Sequence, residues 1–523
     1  AFISLAEIGA SLVLTVGLMG ALGQSVFVTT LVLPVILIAV GVSDDVYALT
    51  HYFNETRRGQ GRSEQEVVIA AFARILRPVS LTAISTCVGL LSLALTGIQP
   101  LRVFGVFGAV SIVFSSLFTF TLVPALLVVI KPRVNVRRRR QTQRRRAMLS
   151  LVHAVGAVRP ARLLLLILAV AAGAALLGAR VNVDDSWIKN LPVKSDIARG
   201  DVPLNGILAG TTTIDLMLDS TGGFTDPGNF RVLGAIEEAA REIAYVGGVH
   251  SAFTEIVRTT AALKNVDYRS FRAALLKNEL SISREEIEQA LSLMASARRP
   301  QIQLFASVFD SARVTVFVRS ASYERIEQVL RVASAAVFNA SGGRLAVRPF
   351  GDGWISYLTV QLLVKGQVYS IALALLTDLV LLSLLFRSVR ASFTAILPVV
   401  FSVIVIFALL AATRTPLGIA NSMFAGIAIG IGLDFSIHLT TAYQQGLFRG
   451  LRASRSLIRA VVNTGPAIIT SAIAIAAGFS VLALSQVTPN VQLGLMISLS
   501  LLICAGATLL LVPCFAMLAP KRE

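Results

Sequence analysis

The sequence predicts a polytopic α-helical membrane protein with two parallel pseudo-repeats of transmembrane helices and an extracytoplasmic α/β ferredoxin-like domain. Three observations support this fold class. The 523-residue chain is 55% hydrophobic and only 15% charged, whereas a soluble protein is about 25% charged. Apolar stretches long enough to cross a bilayer recur along the chain. The residues of its two membrane parts also repeat at a nearly constant offset.

Ten stretches have the length and apolarity of membrane spans. They are 2–23, 26–52, 79–97, 101–130, 163–180, 366–386, 391–412, 416–443, 466–485 and 491–519. They divide the chain into a first membrane repeat (1–130), a basic cytoplasmic linker (131–162), a single transmembrane helix (163–180), an extracytoplasmic domain (181–365) and a second membrane repeat (366–519).

The net charge of +18 arises in the loops between spans. Residues 181–365 hold 20 basic and 20 acidic residues, so the whole excess lies elsewhere. Basic loops follow every second span, and the positive-inside rule places them in the cytoplasm. The densest run, Lys131 to Arg146, has no interleaved aromatic residues for base stacking. It therefore predicts contact with anionic membrane lipids rather than with nucleic acid.

Residues 181–365 read as a folded α/β domain. Strand-like runs at Thr211–Leu218 and Arg313–Arg319 each precede a helix-like run, Asn229–Ala244 and Tyr323–Phe338, and a short strand follows at Leu345–Pro349. This pattern favours a split βαβ, ferredoxin-like arrangement with a helical stretch inserted at about 255–297. The domain contains no pattern typical of a catalytic triad, metal cluster or phosphate loop, and no cofactor is expected. The three cysteines of the chain lie in apolar spans without metal-ligand spacing.

The two membrane repeats align residue by residue. Gly41 and Asp45 correspond to Gly430 and Asp434, 389 residues later, and Pro100 corresponds to Pro489 at the same offset. An even number of spans separates the repeats, so both point the same way in the membrane. Residues 163–389 have no counterpart in the first repeat. We therefore expect a longer protein that is incomplete here at its N-terminus, with twelve spans and two outer domains.

Carboxyl groups within the spans are the candidate functional residues, because a charged group in hydrocarbon is costly and marks function or a polar partner. Asp434 lies deep in its span, and Asp45 is its counterpart in the repeat. Burial disfavours a charged carboxylate, so such acids could exchange protons, and we predict a relay through Asp434 and Asp45. A neutral acid that only locks two helices together is the alternative. Asp44 precedes Asp45 by one residue, so its side chain points 100° away from that of Asp45 around the helix. Asp378 has no counterpart in the first repeat with which its role could be compared.

Other residues could support the relay or the packing around it. Glycines beside the acids would let a neighbouring helix approach closely: Gly41, Gly430 and Gly432. His438 lies four residues after Asp434 and shares its helix face. Hydroxyl groups of membrane helices most often bond their own backbone, but they could also carry protons. The supporting candidates are Asp44, Tyr47, Thr82, Ser85, Asp378, His438, Thr470 and Ser471.

These motifs carry a family resemblance. The runs Gly430–His438, Gly465–Pro466, Thr470–Ser471 and Gly478–Phe479, with Pro489, Gly494 and Pro513, resemble the resistance–nodulation–division (RND) superfamily. Within it, the chain is similar to lipid exporters of the mycobacterial membrane protein large (MMPL) family and the hopanoid transporters. The sterol-sensing domains share the same membrane pattern.

The resemblance implies proton-driven export, with Asp434 and Asp45 as the coupling acids. The family often has Tyr after the acid, whereas Phe435 and Val46 stand here, so a partner hydroxyl would come from Tyr47 or the threonines. The first half also lacks the second glycine of the motif, since Ser43 takes its place. The two halves therefore need not share the work equally.

The leading interpretation is an exporter of a hydrophobic substrate, favoured to be a lipid, in a bacterial inner membrane and driven by the proton-motive force. The alternative is a sterol- or lipid-sensing protein of the same fold without active transport, because fold alone does not decide function. An enzyme is not expected, since no nucleophile–base or metal constellation is present. Homo-oligomerisation, envelope partner proteins and the identity of the substrate stay open.

Overall fold

The computed structural model describes residues 2–58, 63–131, 138–157, 159–184, 191–192, 195–296, 310–319 and 322–518. Within them, ten helices are long and apolar enough to cross a membrane. The chain divides into two compact units. The membrane unit comprises residues 1–183 and 362–523, and the outer unit comprises residues 184–361. The predicted domain limits of 181 and 365 lie within a few residues of this division.

The first part of the membrane unit is built from helices over its described residues, with a single β-bridge from Val183 to Leu417. Its helices are α1 (Phe2–Ala21), α2 (Leu33–Arg58), α3 (Glu64–Ser92), α4 (Gln99–Ile130), α5 (Arg138–Ala157) and α6 (Pro160–Gly178). A capping box starts α3, since the Ser63 hydroxyl accepts from the Glu66 N–H while the Glu66 carboxylate accepts from the Ser63 N–H. Short 3₁₀ turns precede α2 at Thr30–Val32 and follow α3 at Leu93–Thr96.

The outer unit is a four-stranded antiparallel sheet with helices. Its elements are α7 (Asp196–Ile207), β1 (Thr212–Asp219), α8 (Pro227–Arg241), β2 (Val246–Ser251), α9 (Ala252–Leu263), α10 (Tyr268–Leu276), α11 (Arg284–Ser296), β3 (Ser311–Val318), α12 (Tyr323–Ser341) and β4 (Val347–Phe350). The strand order is β2-β3-β1-β4. Helices α9–α11 lie between β2 and β3 in the chain, so the sheet has split βαβ, ferredoxin-like topology with a helical insertion.

The sequence analysis missed strand β2, which contains the pair Gly247–Gly248. Glycine weakens a strand pattern, and the register against β3 shifts between Val246 and Gly248. The structure shows why glycine stands there: a Cβ atom on Gly247 would fall 1.8 Å from the carbonyl oxygen of Ala209. The close approach of the two backbone segments requires glycine, and the glycine pair weakens the sequence pattern by which a strand is recognised.

The second part of the membrane unit repeats the first. It contains α13 (Gly351–Phe386), which begins in the outer unit, followed by α14 (Val389–Thr413), α15 (Ile419–Ser422), α16 (Phe424–Phe448), α17 (Ala453–Ser480) and α18 (Thr488–Leu518). Short helix α15 corresponds to the turn before α2, and a 3₁₀ turn at Val481–Leu484 corresponds to the one after α3. Pro78 and Pro466 occupy matching positions inside α3 and α17. The repeat read from the sequence is thus also a repeat of helices and turns.

The basic linker is more than a loop, because it contains helix α5. Met148, Val152 and Val155 of α5 are buried, and the Met148 side chain lies against Gly465 of α17. Residues 132–137 of the arginine-rich run lie outside the described residues.

Candidate functional site

Five carboxyl groups of the predicted spans are buried among the membrane helices. Asp44 and Asp45 lie on α2 and Asp434 lies on α16, while Glu7 and Asp378 lie on α1 and α13. Each has a side chain that is at most 4% exposed. The sequence analysis named the four aspartates as candidates. It did not include Glu7, whose counterpart in the second repeat is the apolar Ile396.

Helices α3 and α16 approach each other at glycine residues. A Cβ atom on Gly89 would lie 2.9 Å from the carbonyl oxygen of Gly426 and 3.0 Å from the Cα atom of Gly430. The Thr86 hydroxyl donates across the same contact to the Gly430 carbonyl oxygen, at 3.2 Å. This contact joins the first repeat to the second, one turn of α16 before Asp434. Gly430 therefore lies at this close contact between α3 and α16.

Asp434 has acidic neighbours. The charges that act on it are those of Asp44 on α2 and Asp378 on α13. Its Oδ1 atom has no hydrogen-bond partner within the described residues. Asp44 in turn experiences the charges of Glu7 and Asp45. The five acids therefore form one electrostatically connected group, called the acid cluster below.

The two neighbouring acids of α2 face different helices. Asp45 lies beside Ser4 of α1, and its charge acts on Glu7. Asp44 instead acts on Asp434. The alignment of the repeats favoured Asp45 as the counterpart of Asp434, whereas Asp44 is the α2 acid whose charge acts on Asp434.

The physical reason is that α2 and α16 present different faces at equivalent positions. A Cβ atom on Gly41 would meet Ile8 of α1, within its own half, whereas one on Gly430 would meet Thr86 in the other half. Gly432 packs against α18, where a Cβ atom on this glycine would lie 3.1 Å from the sulfur atom of Cys504. Its counterpart Ser43 instead bonds Ser471 of α17, at 2.6 Å between the hydroxyl oxygens. The sequence repeat thus preserves the helices but not the direction in which each side chain points.

A cleft lies beside the acid cluster, between α2, α16 and α17. Tyr47 and His438 stack there with ring centroids 4.0 Å apart. The hydrogen-bonded pair Ser43 and Ser471 lines the same cleft. The Nδ1 atom of His438 has no hydrogen-bond partner among the described residues. Three residues that the sequence proposed as support, Tyr47, His438 and Ser471, are therefore brought together at one place.

The other supporting hydroxyls divide into two kinds. Ser85 donates to Asp378 Oδ1 at 2.9 Å, which links α3 to α13. Thr82 and Thr470 bond carbonyl oxygens of their own helices, those of Val79 and Pro466, and Thr470 is exposed. Only Ser85 among these three contacts an acid. Within the described ranges, no group of three or more His, Cys, Asp or Glu side chains is arranged to hold a metal ion.

Two family models match the chain. The model described as the MMPL family matches residues 303–523. The model described as the sterol-sensing domain of SREBP cleavage-activation matches residues 1–152. The two matches fall on the second and the first membrane repeat, respectively.

Individual relatives agree with these matches. The putative membrane protein MJ1562 of Methanocaldococcus jannaschii is 22% identical over 378 residues, which cover 70% of this chain and 92% of that protein. The probable transport protein MmpL12 of Mycobacterium tuberculosis is 28% identical over 256 residues, 46% of this chain but only 21% of MmpL12. Among solved structures, the hedgehog release protein Disp from the water bear Hypsibius dujardini has a TM-score of 0.70 at 16% identity. The match covers 99% of this chain and 68% of the Disp chain.

At this identity, the likeness to Disp shows the fold alone. The family models and the relatives together support a multi-pass membrane protein of the MMPL type. They also support a function of the lipid transporter or lipid sensor type.

Proposed function

We propose that this MMPL-type membrane protein is an exporter of a hydrophobic substrate, a lipid, driven by protons that bind at the acid cluster. The single observation that supports the proposal best is the composition of that cluster. The charges that act on Asp434 and Asp44 come from other acids. Carboxylates that are buried close together without a cation cannot all be ionised at once, so the cluster must hold protons.

The position of the cluster suits coupling between the two repeats. Asp44 belongs to the first repeat and Asp434 to the second, and the close contact of Gly89 with Gly430 joins the repeats nearby. A proton that binds or leaves there changes the charge at the interface between the two halves. A movement of one half against the other is how transporters built from repeats alternate their access.

The remaining parts of the proposal concern location and partners. We place the protein in a bacterial inner membrane, with the outer unit on the extracytoplasmic side and the basic loops in the cytoplasm, because of the positive-inside pattern. The arginine-rich linker contacts anionic lipids. The proposed export path of the lipid leads from the membrane helices toward the outer unit. For assembly, the sequence is compatible with a homo-oligomer and with a complex with envelope partner proteins.

A second candidate function is lipid sensing without transport. It is favoured by one observation, the match of the sterol-sensing model to residues 1–152. A sensor would bind lipid at the same helices but would have no need of acids in both repeats. Proton movement therefore separates the two candidates.

The test reconstitutes the full chain into liposomes that enclose a pH-sensitive dye, with a lipid extract as substrate. An imposed pH gradient should drive proton flux that depends on the lipid. Asp434→Asn and Asp44→Asn should each reduce this flux to the background of protein-free liposomes, because an amide cannot carry the proton. Asp45→Asn should retain a larger part of the flux, since Asp45 faces α1.

Asp352→Asn is the control, because Asp352 is an exposed acid at the start of α13 and should leave the flux unchanged. Lipid binding without any proton flux in the wild-type protein would instead support the sensor. Flux that persists in both Asp434→Asn and Asp44→Asn would contradict the acid cluster as the coupling site.

A further inference from the structure

We propose that Asp378 on α13 is a third proton-carrying residue of the relay and that the Ser85 hydroxyl on α3 positions it. The inference rests on the proposed function and adds a helix to it. The relay then reaches α13, the helix that follows directly after strand β4 of the outer unit.

A line of polar contacts joins α13 to α3. The Arg77 guanidinium donates to the Leu385 carbonyl oxygen at 3.1 Å. About two turns further along each helix comes the bond from Ser85 to Asp378, at 2.9 Å, and about two turns beyond it lies the pair Ser92 and Ser370, at 2.8 Å between oxygens. Increasing residue numbers on α3 meet decreasing numbers on α13, so the helices run antiparallel. These three contacts are called the α3–α13 seam.

The seam matters because α13 has many exposed apolar side chains. Val368, Tyr369, Leu376, Val380 and Leu384 of α13 are each more than half exposed. In a bilayer, exposed apolar side chains contact lipid and give helices no hydrophobic reason to associate. Small residues and polar contacts hold such helices together instead. The attachment of α13 to α3 therefore depends on the seam, and Asp378 lies in its middle.

Asp378 is built to exchange a proton at this position. Its side chain is fully buried. One carboxyl oxygen accepts from Ser85, and the other, Oδ2, has no hydrogen-bond partner among the described residues. A purely structural acid would be expected to have both oxygens satisfied. The free oxygen is where a proton would bind.

The charged groups around Asp378 connect it to the rest of the cluster. Asp434 on α16 faces it, since the charge of Asp378 acts on Asp434. Asp44 on α2 acts on the same Asp434. On α3, the charged residue of the seam is Arg77, two turns away at its end. Asp434 is therefore shared by Asp44 and Asp378, so a proton that leaves one acid makes ionisation of its neighbour harder.

The proposed step is a single proton transfer. The O–H bond of protonated Asp434 breaks while an O–H bond forms at Asp378 Oδ2, and one negative charge moves from Asp378 to Asp434. When Asp378 is neutral, the middle of the seam carries no charge and the seam stays closed. When Asp378 is ionised, the seam carries a charge in an apolar environment, which favours separation of α13 from α3 and entry of water.

The test measures protonation directly in the full chain in nanodiscs. A hydrophobic carbodiimide modifies protonated carboxyl groups, and peptide mass spectrometry reads the modification of Asp378 and Asp434 separately at each pH. We expect labelling of Asp378 to fall as the pH rises. In Asp434→Asn, the fall should move to lower pH, because a neighbouring negative charge has been removed.

Variants of Ser85 test its positioning role. Ser85→Ala removes the donor to the carboxylate and should move the fall in labelling of Asp378 to higher pH, while Ser85→Thr should restore it. Thr377→Val is the matched control, because Thr377 lies next to Asp378 but is only half-buried, and its hydroxyl donates to the Leu373 carbonyl oxygen of its own helix rather than to an acid. It should leave the labelling curve unchanged.

The outcomes separate the two proposals. If Asp434 titrates while labelling of Asp378 is absent, is constant with pH or does not respond to Asp434→Asn, the role of Asp378 is overturned and the proposed function stands. If neither acid titrates, the proposed function fails as well. The wild-type measurement alone decides whether Asp378 titrates, so poor folding of a variant does not prevent a decision.

Discussion

The buried acids of the two units of this protein differ in their hydrogen-bond partners. In the outer unit, Glu237 is fully buried and accepts from the hydroxyls of Ser251 and Thr254, both at 2.6 Å, with the Arg272 guanidinium 3.4 Å away. In the membrane unit, both carboxyl oxygens of Asp45 and one oxygen of Asp434 lack partners within the described residues. A buried charge that serves structure needs donors and a cation. An acid that must gain and lose a proton cannot be fixed in that way.

Asp215 repeats the pattern of the outer unit. Its Oδ1 atom accepts from Arg313 at 2.9 Å and from Thr315 at 2.7 Å, across neighbouring strands. Both outer acids are therefore held by hydroxyl and guanidinium donors. The contrast with the acid cluster teaches that burial alone does not mark a functional acid. A buried carboxyl oxygen without a hydrogen-bond partner among the described residues is the additional sign, and Asp45, Asp378 and Asp434 share it.

The first prediction tests this contrast through stability. Glu237→Gln removes the charge that the hydroxyls and Arg272 stabilise, so it should destabilise the outer unit by about 2 kcal/mol. Asp45→Asn loses no hydrogen bond and should not destabilise the membrane unit. Hydrogen exchange of the full chain, read by mass spectrometry, measures both effects, at α8 and β2 for the first variant and at α2 for the second. Equal protection losses in the two variants would break the comparison.

A second prediction asks what holds the membrane unit together around the acids. Gly89→Ala should destabilise the contact of α3 with α16 by about 1–2 kcal/mol, because the new methyl group meets backbone atoms that cannot turn aside. Thermal unfolding in detergent measures the loss, and proton flux should fall with it. Gly478→Ala on α17 is the matched control, since nothing lies within 4 Å of its Cβ position. If the control is as harmful as Gly89→Ala, helix propensity or insertion explains the loss, and the close contact does not.

The smallest expected effect concerns an ion pair near the surface of the outer unit. Lys264 lies 2.6 Å from Glu286, and this hydrogen bond lowers the pKa of the Glu286 carboxyl below its usual value. A lowered pKa in the folded state gives stability that is present above the ordinary carboxyl pKa and is lost as the pH falls through the folded-state value.

Lys264→Met should therefore cost roughly 0.5 kcal/mol at neutral pH and nothing in acid, where Glu286 is protonated. Local hydrogen exchange of α9 and α11 at two pH values measures this difference. A cost that is the same at both pH values would assign the effect to the packing of Lys264 over the Phe271 ring and not to charge.

Much of the fold could be predicted from the sequence because it depends on local properties. The length of each apolar stretch gave the ten candidate spans, and the spacing of prolines and glycines gave the repeat. In the outer unit, the alternation in Thr211–Leu218 and Arg313–Arg319 predicted β1 and β3. The sequence analysis missed β2, which contains the glycine pair at 247–248. Glycine is required there because the Ala209 carbonyl oxygen lies close to Gly247, and Ala209 is distant in the sequence.

The candidate site was predictable as a set of residues but not as an arrangement. An acid in an apolar stretch is conspicuous, so Asp44, Asp45, Asp378 and Asp434 were found. Glu7, whose counterpart is apolar, was not among them, yet it is buried and accepts from Ser115 at 2.6 Å. The bond from Ser85 to Asp378 joins residues 293 positions apart, and no local pattern could reveal it.

The sequence by itself determined that this chain crosses a membrane, repeats itself and buries acids without an equal number of basic residues in its spans. Those properties follow from composition and spacing, which act within one helix at a time. Only the tertiary structure decided that Asp44 and Asp378 are the acids whose charges act on Asp434, that Asp45 lies beside α1 and that Asp378 accepts from Ser85. Successive side chains on a helix point 100° apart. Small differences in how α2 and α16 pack therefore determine whether Asp44 or Asp45 lies on the side of Asp434.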